Sequence, residues 1–179
     1  MKFYLPGICG ILFISLPVFS QTAAPNPESS GPDAWQSYYT GRALETQNRM
    51  EEAMPYYNEA VRICLDEIAQ NTSTENSYVI LTWTLQRQRK YADVINWGER
   101  GLNLNADNYR LIEIMGEAYF YLDDYDRSLG CMQRYSNSVP QGDRIPTAYF
   151  FIGEIFRLRG KFHHADIAYT TAVRLESNI

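Results

Sequence analysis

Apolar positions recur along this chain at helical spacing, and they do so in blocks. From Tyr109 onward, Ile112, Met115, Tyr119 and Leu122 stand three and four residues apart, as one face of a helix requires. The acidic stretch Asp123-Asp124-Tyr125-Asp126 interrupts that run, and a second amphipathic stretch follows at once through Ser128 and Met132. Related patterns occur at Tyr78, Leu81 and Leu85, and at Tyr149, Ile152 and Phe156. The spacing predicts pairs of short helices, each pair joined by a tight turn at "TQNRM", "RQRKY", "LDDYD" or "RLRGKF".

The blocks align when the chain is set in frames of about 34 residues. Residues 109–142 hold Ile112-x2-Met115-Gly116-x2-Tyr119, then Ser128-x3-Met132, then Pro140. Residues 75–108 hold Tyr78-x2-Leu81-Thr82-x2-Leu85, then Val94-x3-Gly98-x2-Gly101. Residues 146–179 hold Tyr149-x2-Ile152-Gly153-x2-Phe156, then Ala165-x3-Tyr169-x2-Ala172. Residues 34–67 hold Gly41-x2-Leu44, then Ala53-x3-Tyr57-x2-Ala60, with Ser37 and Thr40 in slots that are apolar elsewhere. Between the first two frames lie Ile68 to Thr74, read as an extended second helix and a loop; Asp143 to Ile145 separate the last two.

This pattern resembles the tetratricopeptide repeat, whose signature is W-x2-L-G-x2-Y, then A-x3-F, then P. The resemblance covers residues 34–179. It implies an all-α fold: a right-handed superhelical solenoid of four helix-turn-helix repeats, eight helices in all. Gly41, Gly116 and Gly153 share one slot of the first helix, with Ala53 and Ala165 opposite on the second. A glycine inside a helix costs about 1 kcal/mol relative to alanine. A close helix crossing offsets that cost, because small residues let the two axes approach. Thr74 and Asp107 are expected N-caps, and Pro146 suits a first helical turn.

The N-terminus breaks from the repeats. "MKFYLPGICGILFISLPVFSQ" has one basic residue, Lys2, an apolar stretch to Phe19, and small residues before Gln21. It reads as a secretory signal peptide over residues 1–20. The alternative is a retained membrane anchor, disfavoured by Pro6, Gly7, Gly10 and Pro17 within the stretch. Residues 21–33 read as a flexible spacer rich in Pro, Ser and Gly. Export makes the mature protein periplasmic in a bacterium or secreted otherwise, with no membrane insertion after cleavage.

Composition narrows the chemistry. The chain has 179 residues, a net charge of −5 and 14 tyrosines. Acidity argues against nucleic acid, whose phosphates require clustered Lys and Arg. The adjacent His163 and His164 diverge on a helix and make poor joint metal ligands. Cys64 and Cys131 lie two repeats apart, beyond the roughly 7 Å between Cα atoms that a disulfide spans, so two free, largely buried thiols are expected. Asn71-Thr72-Ser73 matches a glycosylation acceptor, relevant only in a eukaryote. Gly153 to Lys161 looks faintly like a phosphate loop but lacks the following Ser or Thr. Neither an enzymatic activity nor a cofactor or metal is expected.

A surface remains. The resemblance implies that first helices line the concave face of the solenoid, where partners bind. Excluding core slots leaves Trp35, Tyr38 and Arg42 in the first repeat, then Val79, Trp83 and Arg87 in the second. The third offers Arg110, Glu113, Glu117, Phe120 and Tyr121, and the fourth Phe150, Glu154 and Arg157. Trp83 is the expected centre, faced by Phe120 and Tyr121, with Arg87 and Glu117 at the rim. Aromatics and Arg are the residues enriched in binding hot spots. The alternative is that some of these rings pack between neighbouring first helices. A family subtype that grips C-terminal carboxylates with Lys and Asn is not supported, since Tyr38, Val79, Trp83 and Glu113 occupy that wall. The expected function is a non-enzymatic adaptor of the cell envelope holding a peptide or helix of a partner protein. The alternative is a structural subunit, a homo-oligomer built through the C-terminal helix. On its outer side Ile167, Tyr169, Val173 and Leu175 are expected, softened by Asp166, Thr170 and Arg174.

Overall fold

A computed structural model describes residues 33–176. Eight α-helices and no strands occur among the described residues. They are α1 (Ala34–Thr46), α2 (Met50–Ala69), α3 (Glu75–Arg87), α4 (Tyr91–Leu102), α5 (Tyr109–Tyr121), α6 (Tyr125–Ser138), α7 (Ile145–Leu158) and α8 (Phe162–Glu176). The expected signal peptide and all of the expected spacer except Asp33 lie outside the described residues. Asp33 is the N-cap of α1, its Oδ1 accepting from the Gln36 N–H at 2.6 Å. None of the described helices is long and apolar enough to cross a membrane.

Every hairpin turns in the same way. The residue two beyond the first helix adopts a left-handed backbone: Asn48 (φ 59°), Arg89 (58°), Asp123 (60°) and Gly160 (69°). Two backbone bonds then close each helix end. The N–H groups of Arg49, Lys90, Asp124 and Lys161 reach back to the carbonyls of Leu44, Leu85, Tyr119 and Phe156. Those of Asn48, Arg89, Asp123 and Gly160 reach Glu45, Gln86, Phe120 and Arg157. This paired closure is the Schellman motif, which satisfies carbonyls that a helix end would leave open. The acidic stretch at 123–126 is therefore a helix stop followed by a restart. Asp124 caps the new helix, accepting from the Arg127 N–H at 3.1 Å.

The shared glycine slot is a close crossing. A Cβ on Gly41 would lie 2.6 Å from the Tyr57 ring, on Gly153 2.6 Å from the Tyr169 ring, and on Gly116 2.9 Å from the Met132 methyl. Across the third crossing the Ser128 hydroxyl also donates to the Gly116 carbonyl at 2.8 Å. Ala53 and Ala165 are buried beside these crossings.

Consecutive helices pack in order from α1 to α8, and the first helices also touch one another: α1 on α3, α3 on α5, α5 on α7. No such contact joins one second helix to the next. An inner wall of α1, α3, α5 and α7 is thus tighter than the outer wall, which bends the stack toward the first helices. One apolar core runs from Ala34 and Tyr57 through Leu81 and Val94 to Ala118, and another unites Ile112, Met132, Phe151 and Ala168.

Several local expectations are corrected. The cap of α5 is Asn108, whose Oδ1 accepts from the Leu111 N–H, because the Asp107 N–H is held by the Asn105 side chain. Tyr169 turns inward over Gly153, and Leu175 packs on the core, so neither belongs to the outer side of α8; Ile167 and Val173 do. Elsewhere the extended second helix is seen as the 20-residue α2. Cys64 and Cys131 are free, Cys64 fully buried and Cys131 partly. Burial pushes their thiols up to about 12 and about 11, which keeps both protonated and unreactive at neutral pH.

Candidate partner-binding groove

The inner wall opens into a groove of about 570 Å³. Helix α1 contributes Tyr38, Tyr39, Arg42, Ala43 and Thr46; α3 contributes Trp83 and Arg87. Helix α5 adds Tyr109, Arg110, Glu113 and Ile114; α6 adds Tyr135, and the segment before α7 adds Asp143 and Arg144. The volume lies within the roughly 300–1,000 Å³ usual for ligand clefts.

Trp83 stands where α1 and α3 meet. It is half-buried, with its ring 5.9 Å from Trp35 and 5.8 Å from Tyr38. Tyr39 stacks on Trp35 at 5.5 Å and is 57% exposed. This end of the groove is an aromatic cluster with one packed side and one open side.

The floor near α5 is ionic. Glu113 and Glu117 stand one helical turn apart and are both buried. Arg144 reaches both: its Nε donates to Glu113 at 3.0 Å, and its terminal nitrogen pairs with Glu117. The Gln86 amide donates to Glu117 at 2.7 Å. Burial pushes the Glu113 carboxyl above the usual carboxylate range, reinforced by the neighbouring charge of Glu117 and opposed by Arg144. A single guanidinium thus holds two desolvated carboxyls and ties α7 to α5.

Of the residues expected on the concave face, Tyr38, Arg42, Trp83, Arg87, Arg110 and Glu113 line the groove together. Trp35 sits behind Trp83. Val79 does not reach the surface: it is 1% exposed and packs with Tyr78 and Leu111. Glu117 lies beneath the wall rather than at a rim. Phe120 and Tyr121 do not face Trp83. They occupy the last turn of α5, where Phe120 packs on Phe151 at 5.0 Å and Tyr121 stacks on Tyr91 at 4.7 Å. Phe150, Glu154 and Arg157 form a separate group on α7, with Glu154 accepting from the Tyr169 hydroxyl and pairing with Arg157 at 2.7 Å.

Sequence reasoning missed Tyr135 and Arg144, and of the two only Tyr135 had a signal. Tyr135 occupies a slot filled by Ala60, Gly101 and Ala172 in the other repeats, so it is too large for that slot and extends to the groove. Arg144 belongs to the insertion between the last two repeats, outside any frame.

Residues 40–67 match the model of the Tetratricopeptide repeat family. The repeat pattern is thus matched directly over one hairpin. That match begins inside α1 and runs through most of α2, leaving out the opening residues that depart most from the repeat pattern. The fold is similar to that of MamA from Desulfovibrio magneticus RS-1, at 14% identity and a TM-score of 0.57, over 82% of this chain and 77% of that one. A second structure of MamA is similar at 16% identity and a TM-score of 0.62, over 81% and 87% of the two chains. A comparison with curated proteins found no significant match.

Proposed function

We propose that this tetratricopeptide-repeat protein is an exported, non-enzymatic adaptor that holds a peptide or helix of a cell-envelope partner in its concave groove. The supporting observation is the groove itself, with a half-buried tryptophan set among tyrosines and arginines. Large rings bring apolar area at low entropic cost, and a partly enclosed wall excludes water around them. Export rests on the reading of residues 1–20.

Affinity capture from the envelope fraction of the native cell tests the reading. The wild-type protein retains a partner that Trp83→Ala loses, with a weakening of about 2 kcal/mol or more. Helical circular dichroism stays near its starting value, because the core of α3 is supplied by Tyr78, Leu81 and Leu85. A large fall in melting temperature with capture unchanged would make Trp83 a packing residue and place the partner elsewhere.

A second reading is favoured by one observation. On α8, Phe162, Ile167 and Val173 are 70%, 53% and 63% exposed. A structural subunit would assemble through this end, and its size by light scattering would then rise with concentration.

A further inference from the structure

We propose that the segment held in the groove is acidic: side-chain carboxylates flanking an aromatic or aliphatic anchor. The proposal rests on the groove being the binding surface. It adds the chemistry of the occupant.

The protein as a whole is acidic, at −5, yet four of the groove residues are arginines and none is a lysine. Their pairing sets them apart. Away from the groove, Arg49, Arg62, Arg127 and Arg157 each reach a carboxylate of their own helix or cap within 2.7 Å. In the groove, Arg42 and Arg87 share a single carboxylate, that of Glu45, at 3.8 and 3.5 Å. Glu45 is already engaged, accepting from the Tyr57 hydroxyl at 2.5 Å. The Arg87 Nε is buried with no hydrogen-bond partner. Arg110 makes no ion pair among the described residues and lies over the Tyr109 ring at 5.8 Å. Only Arg144 is fully matched, by Glu113 and Glu117. Asp143 is the one other carboxylate along the groove.

Three guanidiniums therefore face the groove with one shared carboxylate between them. A guanidinium presents a planar fork of donors that fits a carboxylate with two parallel bonds. Trp83, Tyr38 and Tyr109 lie along the same wall and supply apolar contact beside those forks. Carboxylates spaced around a ring or an aliphatic side chain complement both features. Basic segments are repelled, and neutral ones leave the Arg110 guanidinium without a carboxylate.

Selection of a phage-displayed library of random 12-residue peptides on the purified protein tests this directly. Fusion to the coat protein masks the peptide C-terminus, so only side-chain carboxylates are presented. The selected peptides carry Asp or Glu beside aromatic or aliphatic residues. Synthesised with blocked ends, they lose at least tenfold in affinity when each Asp and Glu becomes Asn and Gln. Arg110→Ala and Arg42→Ala each weaken them severalfold, Arg110→Lys less, with unchanged circular dichroism because neither side chain is buried in the core. Added salt weakens them further. Neutral or basic peptides that are lost on Trp83→Ala but indifferent to the arginine variants overturn the charge proposal and leave the groove reading standing. A library yielding no peptide that depends on Trp83 or the groove arginines overturns both. Preferential binding of a 12-nucleotide single strand through the same arginines overturns the choice of partner class.

Discussion

In the first hairpin, Gly41 of α1 faces the ring of Tyr57 on α2; in the second, Thr82 fills the glycine's slot and the glycine, Gly98, stands on α4 where the tyrosine would be. The last hairpin repeats the first, with Gly153 under Tyr169. In both of these the tyrosine hydroxyl donates across the hairpin to a glutamate of the first helix, Tyr57 to Glu45 and Tyr169 to Glu154. The ring thus spans the crossing and reaches a polar partner at its far side. The second hairpin has no such ring. Thr82 is completely buried there, its hydroxyl returned to the Tyr78 carbonyl at 2.8 Å. The space left by Gly98 receives the side chain of Met115, from the following repeat. A crossing therefore needs a missing side chain, but the repeat does not dictate which helix omits it. Omitted on the first helix, it locks the hairpin; omitted on the second, it admits the next hairpin.

Removing the ring that locks the first hairpin is the harshest way to break this contrast. Tyr57→Ala leaves a cavity against Gly41 and removes the shortest of the contacts to Glu45. Truncating a fully buried aromatic costs about 3–5 kcal/mol. Urea denaturation should show that loss. A cost below about 1 kcal/mol, the order of a mild core change, would mean that the hairpin closes without the ring.

A subtler break adds one carbon. The Cβ of Gly153→Ala meets the Tyr169 ring at 2.6 Å, which something must relieve. Overpacking of this kind costs about 1–3 kcal/mol. In a Tyr169→Ala background the same change no longer meets that ring, and its cost should fall toward zero. Additive effects in that double-mutant cycle would show that ring and glycine are not coupled.

The second hairpin should resist the equivalent change. A Cβ on Gly98 meets the Sδ and Cγ of Met115 at 2.5 and 2.6 Å, and this buried but unbranched side chain has to take another rotamer to relieve them. Gly98→Ala is expected to cost under about 1 kcal/mol, since alanine's helix propensity returns roughly that amount. A larger loss of melting temperature than Gly153→Ala causes would erase the distinction between the two hairpins.

Much of this was legible. The repeat period, the helix pairs and the glycine slot all follow from local spacing, because helix–helix contacts inside one hairpin join residues close in sequence. The turns were legible in place but not in form. Of Asn48, Arg89, Asp123 and Gly160, one alone is glycine, so the left-handed backbone left little trace in residue type. Half of the groove was hidden for a different reason. Whether Val79 or Phe120 points to solvent depends on how neighbouring repeats rotate against each other, and no helical wheel carries that angle. Arg144 was hidden because it enters from an insertion, where the frame assigns no direction.

Gly130 gives the smallest effect and the opposite sign. It lies in the middle of α6, exposed, and a Cβ there would meet nothing within 4 Å. Unlike Gly116 in the same repeat, it serves no crossing, and its backbone is helical. Nothing therefore offsets the entropy a glycine loses on joining a helix. Gly130→Ala should stabilise the protein by about 0.5–1 kcal/mol. The measured quantity is the shift in urea midpoint at unchanged slope, which isolates stability from a change in exposed surface. A destabilised Gly130→Ala would mean that the outer side of α6 is covered by something the isolated hairpins do not include, and that this glycine too marks a close approach.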